Sequence, residues 1–234
     1  GRQLSKRINS EIKDKIKKEM DVGGQNLVPP GLAVIVIGNK QDSLLYVNMK
    51  RKICAEIGIE SKLIHLSENF STENIIAIIN ILNQDTSIDG ILIQLPLPTH
   101  INEEQVLTSV NLEKDVDGFH SSNIGNVAMA NRTPLFTPCT PLGCIRLLDE
   151  YKIDILGKNV VVIGKSNIVG LPISLMLMKR NATVTVCHKY TSDLKNITKN
   201  ADIIISACGQ PQMIKDNWVK EGVVIIDIGI NHIP

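Results

Sequence analysis

Apolar positions fall into two rhythms along this chain, and the switch between them lays out its elements. Leu4, Ile8, Ile12 and Ile16 recur every four residues, which predicts an amphipathic first helix. A Gly- and Pro-containing loop over 21–30 follows. Residues 32–37 form an unbroken apolar run, the mark of a buried parallel strand, ended by Gly38 and the polar run Asn39-Lys40-Gln41-Asp42. Asp42 or Ser43 can cap a helix carrying Leu45, Met49, Ile53 and Ile57, which Gly58 ends. A second strand spans 60–66. Ser71 or Thr72 starts a helix through Ile75, Ile76, Ile79 and Leu82. A third strand, 90–95, is stopped by Pro96 and Pro98, and a short helix covers 103–109.

Residues 114–131 read as polar and irregular. A second unit begins near Pro138, where Pro141-Leu142-Gly143 opens a helix over 144–151. The apolar run 160–163 is a strand, Gly164 permits a tight turn, and Ser166 and Asn167 are good N-caps. A helix from about 169 carries Leu171, Leu175 and Met178 on one side. Strands at 183–187, 203–206 and 223–228, with a short helix near Leu194, complete the unit. This alternation predicts an α/β protein with mostly parallel sheets and right-handed crossovers. Ligands of such sheets bind beyond the carboxyl ends of the strands, here the loops after Ile37, Leu66 and Leu95.

Composition narrows the class. The chain has 234 residues, enough for one large domain or two small ones. It is 43% apolar but only 3% aromatic, so its core is aliphatic. A net charge of +1 without a basic stripe argues against nucleic acid, and the lysine-rich run 13–18, interrupted by Asp14, reads as a solvated helix face. Cys54, Cys139, Cys144, Cys187 and Cys208 are widely spaced, odd in number and form no C-x-x-C, which fits a reducing compartment without structural zinc. No apolar run approaches the ~18 residues of a membrane span, and no signal peptide is visible, so no membrane association is expected, and the location is the cytoplasm or, after removal of a transit peptide, an organelle.

Several stretches carry candidate chemistry. Tyr46 and Lys50, four apart, share a helix face just beyond the first strand. They read either as a surface pair or as a stacking ring beside a lysine whose pKa burial lowers for proton transfer. Gln94 ends an apolar strand, where it either satisfies loop backbone or hydrogen-bonds a substrate or the lysine. Asp115 and Asp117 have no further acidic or histidine ligands nearby for a metal. One of them can pair with the N–H groups of a pteridine or purine, or both can serve a turn before Gly118. The stretch 160–172, VVVIGKSNIVGLP, joins a strand, a glycine turn and a helix N-terminus into an anion site. Its spacing, Gly164-x5-Gly170, is not the generic G-x-G-x-x-G, so an ordinary strand–turn–helix stays open. An NAD site has an acid after the next strand. Here His188 and Lys189 stand there, and with Lys165 they suit a 2′-phosphate, hence NADP, unless the lysines are simply exposed. Cys144 has no His and Asn partners, and Ser166 lies in no G-x-S-x-G elbow.

Together these pieces resemble one family. Tyr46-Val47-Asn48-Met49-Lys50 is similar to its Y-x-x-x-K helix, and residues 90–98, GILIQLPLP, to its G-[IL]-[LI]-[VI]-Q-L-P-L-P strand. Residues 114–119, KDVDGF, 138–143, PCTPLG, 164–172, GKSNIVGLP, and 227–231, DIGIN, resemble four further motifs in the family's order. The family is the bifunctional methylenetetrahydrofolate dehydrogenase/methenyltetrahydrofolate cyclohydrolases. The resemblance implies an N-terminal folate-binding catalytic domain over 1–137, a Rossmann-like NAD(P)-binding domain over 138–234, and a cleft between them. It implies that NADP+ takes a hydride from 5,10-methylenetetrahydrofolate and that water opens the product to 10-formyltetrahydrofolate, within one-carbon metabolism and purine biosynthesis. By resemblance Lys50 is central to the hydrolysis, Tyr46 stacks over the folate, Gln94 tunes Lys50, Asp117 grips the pterin, and Leu95 and Pro96 line the substrate. Gly164, Lys165, Ser166, Val169, Gly170, His188, Lys189 and Ile230 would hold the cofactor. No metal is implied, and relatives form homodimers through the nucleotide-binding domain.

The chain departs from the family at three places. Lys165 stands where Arg is frequent and Lys189 where Ser is, and lysine lacks arginine's bidentate fork, so NAD stays possible beside NADP. Family members also continue past the position of Asn231 with a Pro- and Gly-rich loop and a last helix, whereas this sequence ends at Pro234. Two other readings compete: a monofunctional NAD-linked dehydrogenase of the same family, against which Lys50 argues, and a non-catalytic nucleotide-binding protein. The joint presence of Tyr46, Lys50, Gln94 and Asp117 disfavours the latter.

Overall fold

A computed structural model describes residues 1–24 and 27–229. The chain divides into two compact units, Gly1–His120 and Ser121–Pro234. Residues 121–137, grouped above with the N-terminal domain, belong to the second unit, where their helix packs on the one that follows the glycine turn.

The first unit runs α1 (Arg2–Gly23), β1 (Gly31–Ile37), α2 (Gln41–Ile57), β2 (Glu60–Leu66), α3 (Thr72–Gln84), β3 (Gly90–Ile93) and α4 (Glu103–Thr108). Its sheet is parallel, in the order β2-β1-β3. The unbroken apolar run of β1 follows from this central place, because both of its faces are covered. Ala33, Ile35 and Ile37 pack with Ile75, Ile79 and Leu82 of α3 and Val106 of α4. Val34 and Val36 pack the other way, with Val47 of α2. Each fully buried Val, Leu or Ile side chain among them contributes roughly 1.5–3 kcal/mol. Ser71 caps α3, its Oγ accepting from Asn74 N at 3.3 Å.

The second unit runs α5 (Ser121–Ala128), α6 (Cys139–Glu150), β4 (Asn159–Ile163), α7 (Gly170–Lys179), β5 (Thr183–Cys187), α8 (Leu194–Lys199), β6 (Ile203–Ser206) and β7 (Val224–Asp227). All four strands are parallel, in the order β5-β4-β6-β7. Val160, Val162, Ile203 and Ile205 face Leu148 of α6 and Ile173 and Leu177 of α7. Val161, Ile163 and Ile204 face α8 through Ile197 and Leu194. In both sheets the strand order reverses beside the first strand, between β1 and β3 and between β4 and β6. Those reversal points are where an open α/β sheet leaves a crevice.

Several sequence expectations need correction. The segment 114–131 is not irregular throughout: α5 forms within it despite Ser, Asn and Gly, because Val127 and Asn123 are buried. Helix α6 starts at Cys139 rather than 144, since a proline at its third residue falls in the first turn, where no amide bond is lost. The buried side of α7 is Pro172, Ile173, Ser174 and Leu177, while Leu171 and Met178 are exposed. Lys40, not Asp42 or Ser43, is the N-cap of α2, without a side-chain cap bond. Strand β3 ends at Ile93, although Gln94 N still donates to Ile35 O at 2.8 Å. The α1 stripe is only half covered, and no residue of that helix is buried.

Candidate active site

The first crevice collects the predicted side chains from three elements. Helix α2 leaves the carboxyl end of β1 and presents Tyr46 and Lys50 one turn apart. Lys50 Nζ donates to Gln94 Oε1 at 3.1 Å, and Gln94 stands at the carboxyl end of β3. Gln94 Nε2 in turn donates to Leu95 O at 2.7 Å. That second bond orients the amide, so the acceptor oxygen faces the lysine. Gln94 therefore does both things left open by its sequence: it holds the lysine and it satisfies a loop carbonyl. The peptide bond between Leu95 and Pro96 is cis, and Pro96 is exposed.

Asp117 arrives from the loop after the short helical turn Leu112–Lys114. Burial pushes its carboxyl up to about 6; the Lys50 charge and the backbone at Ile93 pull it down, and Asp115 pushes it up. Lys50, Gln94 and Asp117 thus form one cluster, with the half-exposed ring of Tyr46 on the same helix face as Lys50. The loop after Leu66, expected above to share in the chemistry, contributes none of these groups, because β2 is the outer strand of the sheet. Asp115 differs from Asp117 in its bonding: its carboxylate accepts from Phe119 N at 3.2 Å and His120 N at 2.8 Å. Among the described residues no group of three or more His, Cys, Asp or Glu side chains is placed to hold a metal ion.

The second crevice lies at the end of β4. Gly164 has φ +119° and its amide donates to Cys187 O of β5 at 2.8 Å. A Cβ on Gly164 would stand 2.6 Å from Ala207 O, and one on Gly170 would stand 2.0 Å from Gly164 O. Only glycine allows this close strand–turn–helix approach. Ser166 Oγ accepts from Val169 N at 3.2 Å and Gly170 N at 3.4 Å, which closes the turn. A pocket of about 490 Å³ adjoins it, lined by Gly164, Lys165, His188, Lys189, Tyr190 and Cys208 among others. Lys189 Nζ lies 4.9 Å from the Tyr190 ring centroid. His188 Nδ1 accepts from Tyr190 N at 3.3 Å, which leaves the neutral ring's proton on Nε2. No acid lines this pocket and two lysines do, so the residues present fit a dinucleotide carrying an extra phosphate.

The structure thus brings together Lys50, Gln94 and Asp117 in one unit and Gly164, Lys165, His188 and Lys189 in the other. Ile230 lies outside the described residues. Sequence reading missed Tyr190, Thr191, Cys208, Gln210 and Met213 of the pocket wall. The run Cys208-Gly209-Gln210 follows β6, beside the strand-order reversal, so the topology rule could have pointed to it.

Fold and site define a class, a two-unit α/β protein with a titratable cluster in one unit and a dinucleotide crevice in the other. Residues 1–117 match the tetrahydrofolate dehydrogenase/cyclohydrolase catalytic domain, and residues 138–234 match the NAD(P)-binding domain of the same family. The chain belongs to the tetrahydrofolate dehydrogenase/cyclohydrolase family. It is 48% identical over 233 residues to bifunctional protein FolD 2 of Arabidopsis thaliana, covering 100% of this chain and 77% of that protein. It spans 64% of the chloroplastic FolD 4 from the same plant, at 48% identity and with all of this chain covered. The crystal structure of the bifunctional FolD dehydrogenase/cyclohydrolase of Campylobacter jejuni superposes with a TM-score of 0.94 at 45% identity, covering 99% of this chain and 80% of that one. The Trypanosoma brucei enzyme, complexed with NADP and an inhibitor, gives 0.94 at 35% identity, covering 99% and 78%. No described helix is long and apolar enough to cross a membrane.

Proposed function

We propose that this protein oxidises 5,10-methylenetetrahydrofolate with NADP+ and hydrolyses the resulting methenyl compound to 10-formyltetrahydrofolate. The observation that carries this reading is the Lys50–Gln94 hydrogen bond of 3.1 Å, with Asp117 beside the same lysine. Tyr46 offers a flat face for the folate ring system, and Leu95 and Pro96 line it. Asp117, when ionised, accepts from the N–H groups of the pterin. Lys50 gives a proton to N5 as the ring opens and takes one back from the water that has added to the methenyl carbon. Gln94 keeps the lysine aimed, because its amide is itself held by Leu95 O. In the other unit Gly164, Ser166, Val169 and Gly170 would form the turn against which the pyrophosphate lies, and Lys165, His188 and Lys189 would hold the 2′-phosphate. The cofactor, when bound, supplies the hydride acceptor.

A spectrophotometric assay of the full-length enzyme tests this, following reduced cofactor and the methenyl compound together. The wild type reduces NADP+ without methenyl build-up, whereas Lys50→Met still reduces NADP+ but accumulates methenyl. A wild type inactive with both NADP+ and NAD+ would overturn the assignment. Joint replacement of Lys165 and Lys189 by Ala weakens NADP+ by about 10–100-fold, as expected for lost charged hydrogen bonds, and leaves NAD+ nearly unchanged. Equal loss for both cofactors contradicts the 2′-phosphate reading and favours the NAD-linked alternative.

We also infer a homodimer through the second unit. Strand β5 is an edge strand whose Thr185 and Val186 are exposed, an edge that a second chain can extend. A sedimentation mass of one chain would contradict this. None of the five cysteines forms a disulfide, which suits the cytoplasm, and recovery of the protein from a purified organelle would overturn that location.

A further inference from the structure

The segment Lys114-Asp115-Val116-Asp117-Gly118 holds two carboxylates, and the structure gives them different work. Lys114 Nζ donates to Leu82 O at 3.0 Å and Asp85 O at 2.8 Å, tying the segment to the carboxyl end of α3. Asp115 pairs by backbone with Ile91 of β3 in a parallel bridge. The residue is only 5% exposed, and its side chain takes the amides of Phe119 and His120, closing the loop that carries Asp117. Gly118 N donates to Asp115 O at 3.0 Å inside the same loop. Val116 lies so close to the sheet that a Cβ on Gly90 would stand 2.5 Å from its Cγ1. Asp117 therefore projects from a short loop fastened before and after it, with Asp115 as the fastening nearest to it.

We propose that Asp115 is a positioning residue for the folate reactions: its buried carboxylate, bonded to the backbone of residues 119 and 120, sets the place of Asp117 in the Lys50–Gln94 cluster. The inference rests on the reading of Asp117 as the pterin-binding group. Asp115 touches no substrate; its effect passes through one neighbour. Replacing it shifts the carboxylate that binds the folate without removing any group that reacts.

The test is a double-mutant cycle in the full-length enzyme with Asp115→Asn, Asp117→Asn and the pair. NADP+ affinity, which belongs to the other unit, serves as the measure of a folded protein. Asp117→Asn raises the KM for 5,10-methylenetetrahydrofolate by about 10–100-fold, as for a lost charged hydrogen bond. Asp115→Asn raises it about tenfold with kcat within twofold and NADP+ affinity unchanged. Added to Asp117→Asn, it costs less than about twofold more, because coupled positions do not add. Asp115→Glu, which keeps the charge and lengthens the arm, raises KM as well. Losses that multiply in the pair, a KM unmoved by Asp115→Asn, or an effect of Asn without one of Glu would each overturn the positioning role. A KM unmoved by Asp117→Asn would instead sink the folate reading of Asp117, and the inference with it.

Discussion

A carboxylic acid raised to about 6 and a lysine share the first crevice, and this pair sets the pH behaviour of the site. Asp117 is raised chiefly because burial disfavours its charge. The groups that face it are Lys50 from α2 and the Ile93 backbone from β3, both pulling its pKa down, and Asp115 from its own loop, pushing it up. Below about pH 6 the carboxyl is protonated and can no longer accept both pterin N–H groups. The specificity constant reports the free enzyme. It should therefore fall about tenfold per pH unit below 6 and stay level just above it, and Asp117→Asn should abolish that limb. A wild-type limb near 4, the ordinary carboxylate value, would show that burial does not govern this group. The positions of Tyr46, Lys50 and Gln94 were legible in the sequence, because helix period and strand end are local properties. The bond that joins Lys50 to Gln94 spans 44 positions; it stood in the sequence as one reading of Gln94 among others, and only the fold selects it. The division between Asp115 and Asp117 was not legible, since both are acids one residue apart and only the fold bonds one to loop amides.

At the scale of elements, the glycine turn between β4 and α7 is the tightest construction in the second unit. A Cβ on Gly170 would press to 2.0 Å on the carbonyl oxygen of Gly164, and both partners are backbone, which cannot swing aside. Gly170→Ala should cost about 3 kcal/mol, the upper end of ordinary overpacking, and lower the melting temperature by roughly 6–12 °C. Gly143 offers the opposite case. It is exposed within α6, and a Cβ there would meet nothing within 4 Å. Gly143→Ala should raise stability by about 0.4–1 kcal/mol, because alanine loses less backbone freedom on folding. Equal melting shifts for the two variants would contradict this account. The elements were legible where a single rhythm ran unbroken, as in β1 and α3. They were less legible where polar residues are buried by pairing. Asn123 of α5 is fully buried and accepts from Leu135 N at 3.0 Å and Phe136 N at 3.1 Å, so a segment that reads as a polar loop is a packed helix. In α7 the sequence is apolar nearly all round, and periodicity alone could not choose the buried side.

For the whole molecule, the core clusters are each closed within one unit: those around β1 lie in Gly1–His120 and those around β4 and β6 in Ser121–Pro234. The two proposed ligands also belong to different units. A ligand stabilises what it binds by about 2.7 kcal/mol at a hundred times its dissociation constant, which slows exchange through opening of that unit by about 100-fold. NADP+ alone should therefore protect the amides of Val160, Val161, Val162 and of Ile203, Ile204 and Ile205. The amides of Val34, Ile35, Val36 and of Ile91 and Leu92 should exchange as before. A folate analogue alone should do the reverse. Hydrogen exchange read by mass spectrometry on the full-length enzyme separates the two patterns peptide by peptide. If NADP+ protected both sets of strands equally, the units would open as one, and stability would be a property of the whole chain. Protection confined to β4 and β6 would place the cofactor at the strand-order reversal of the second sheet, where the glycine turn and the two lysines converge.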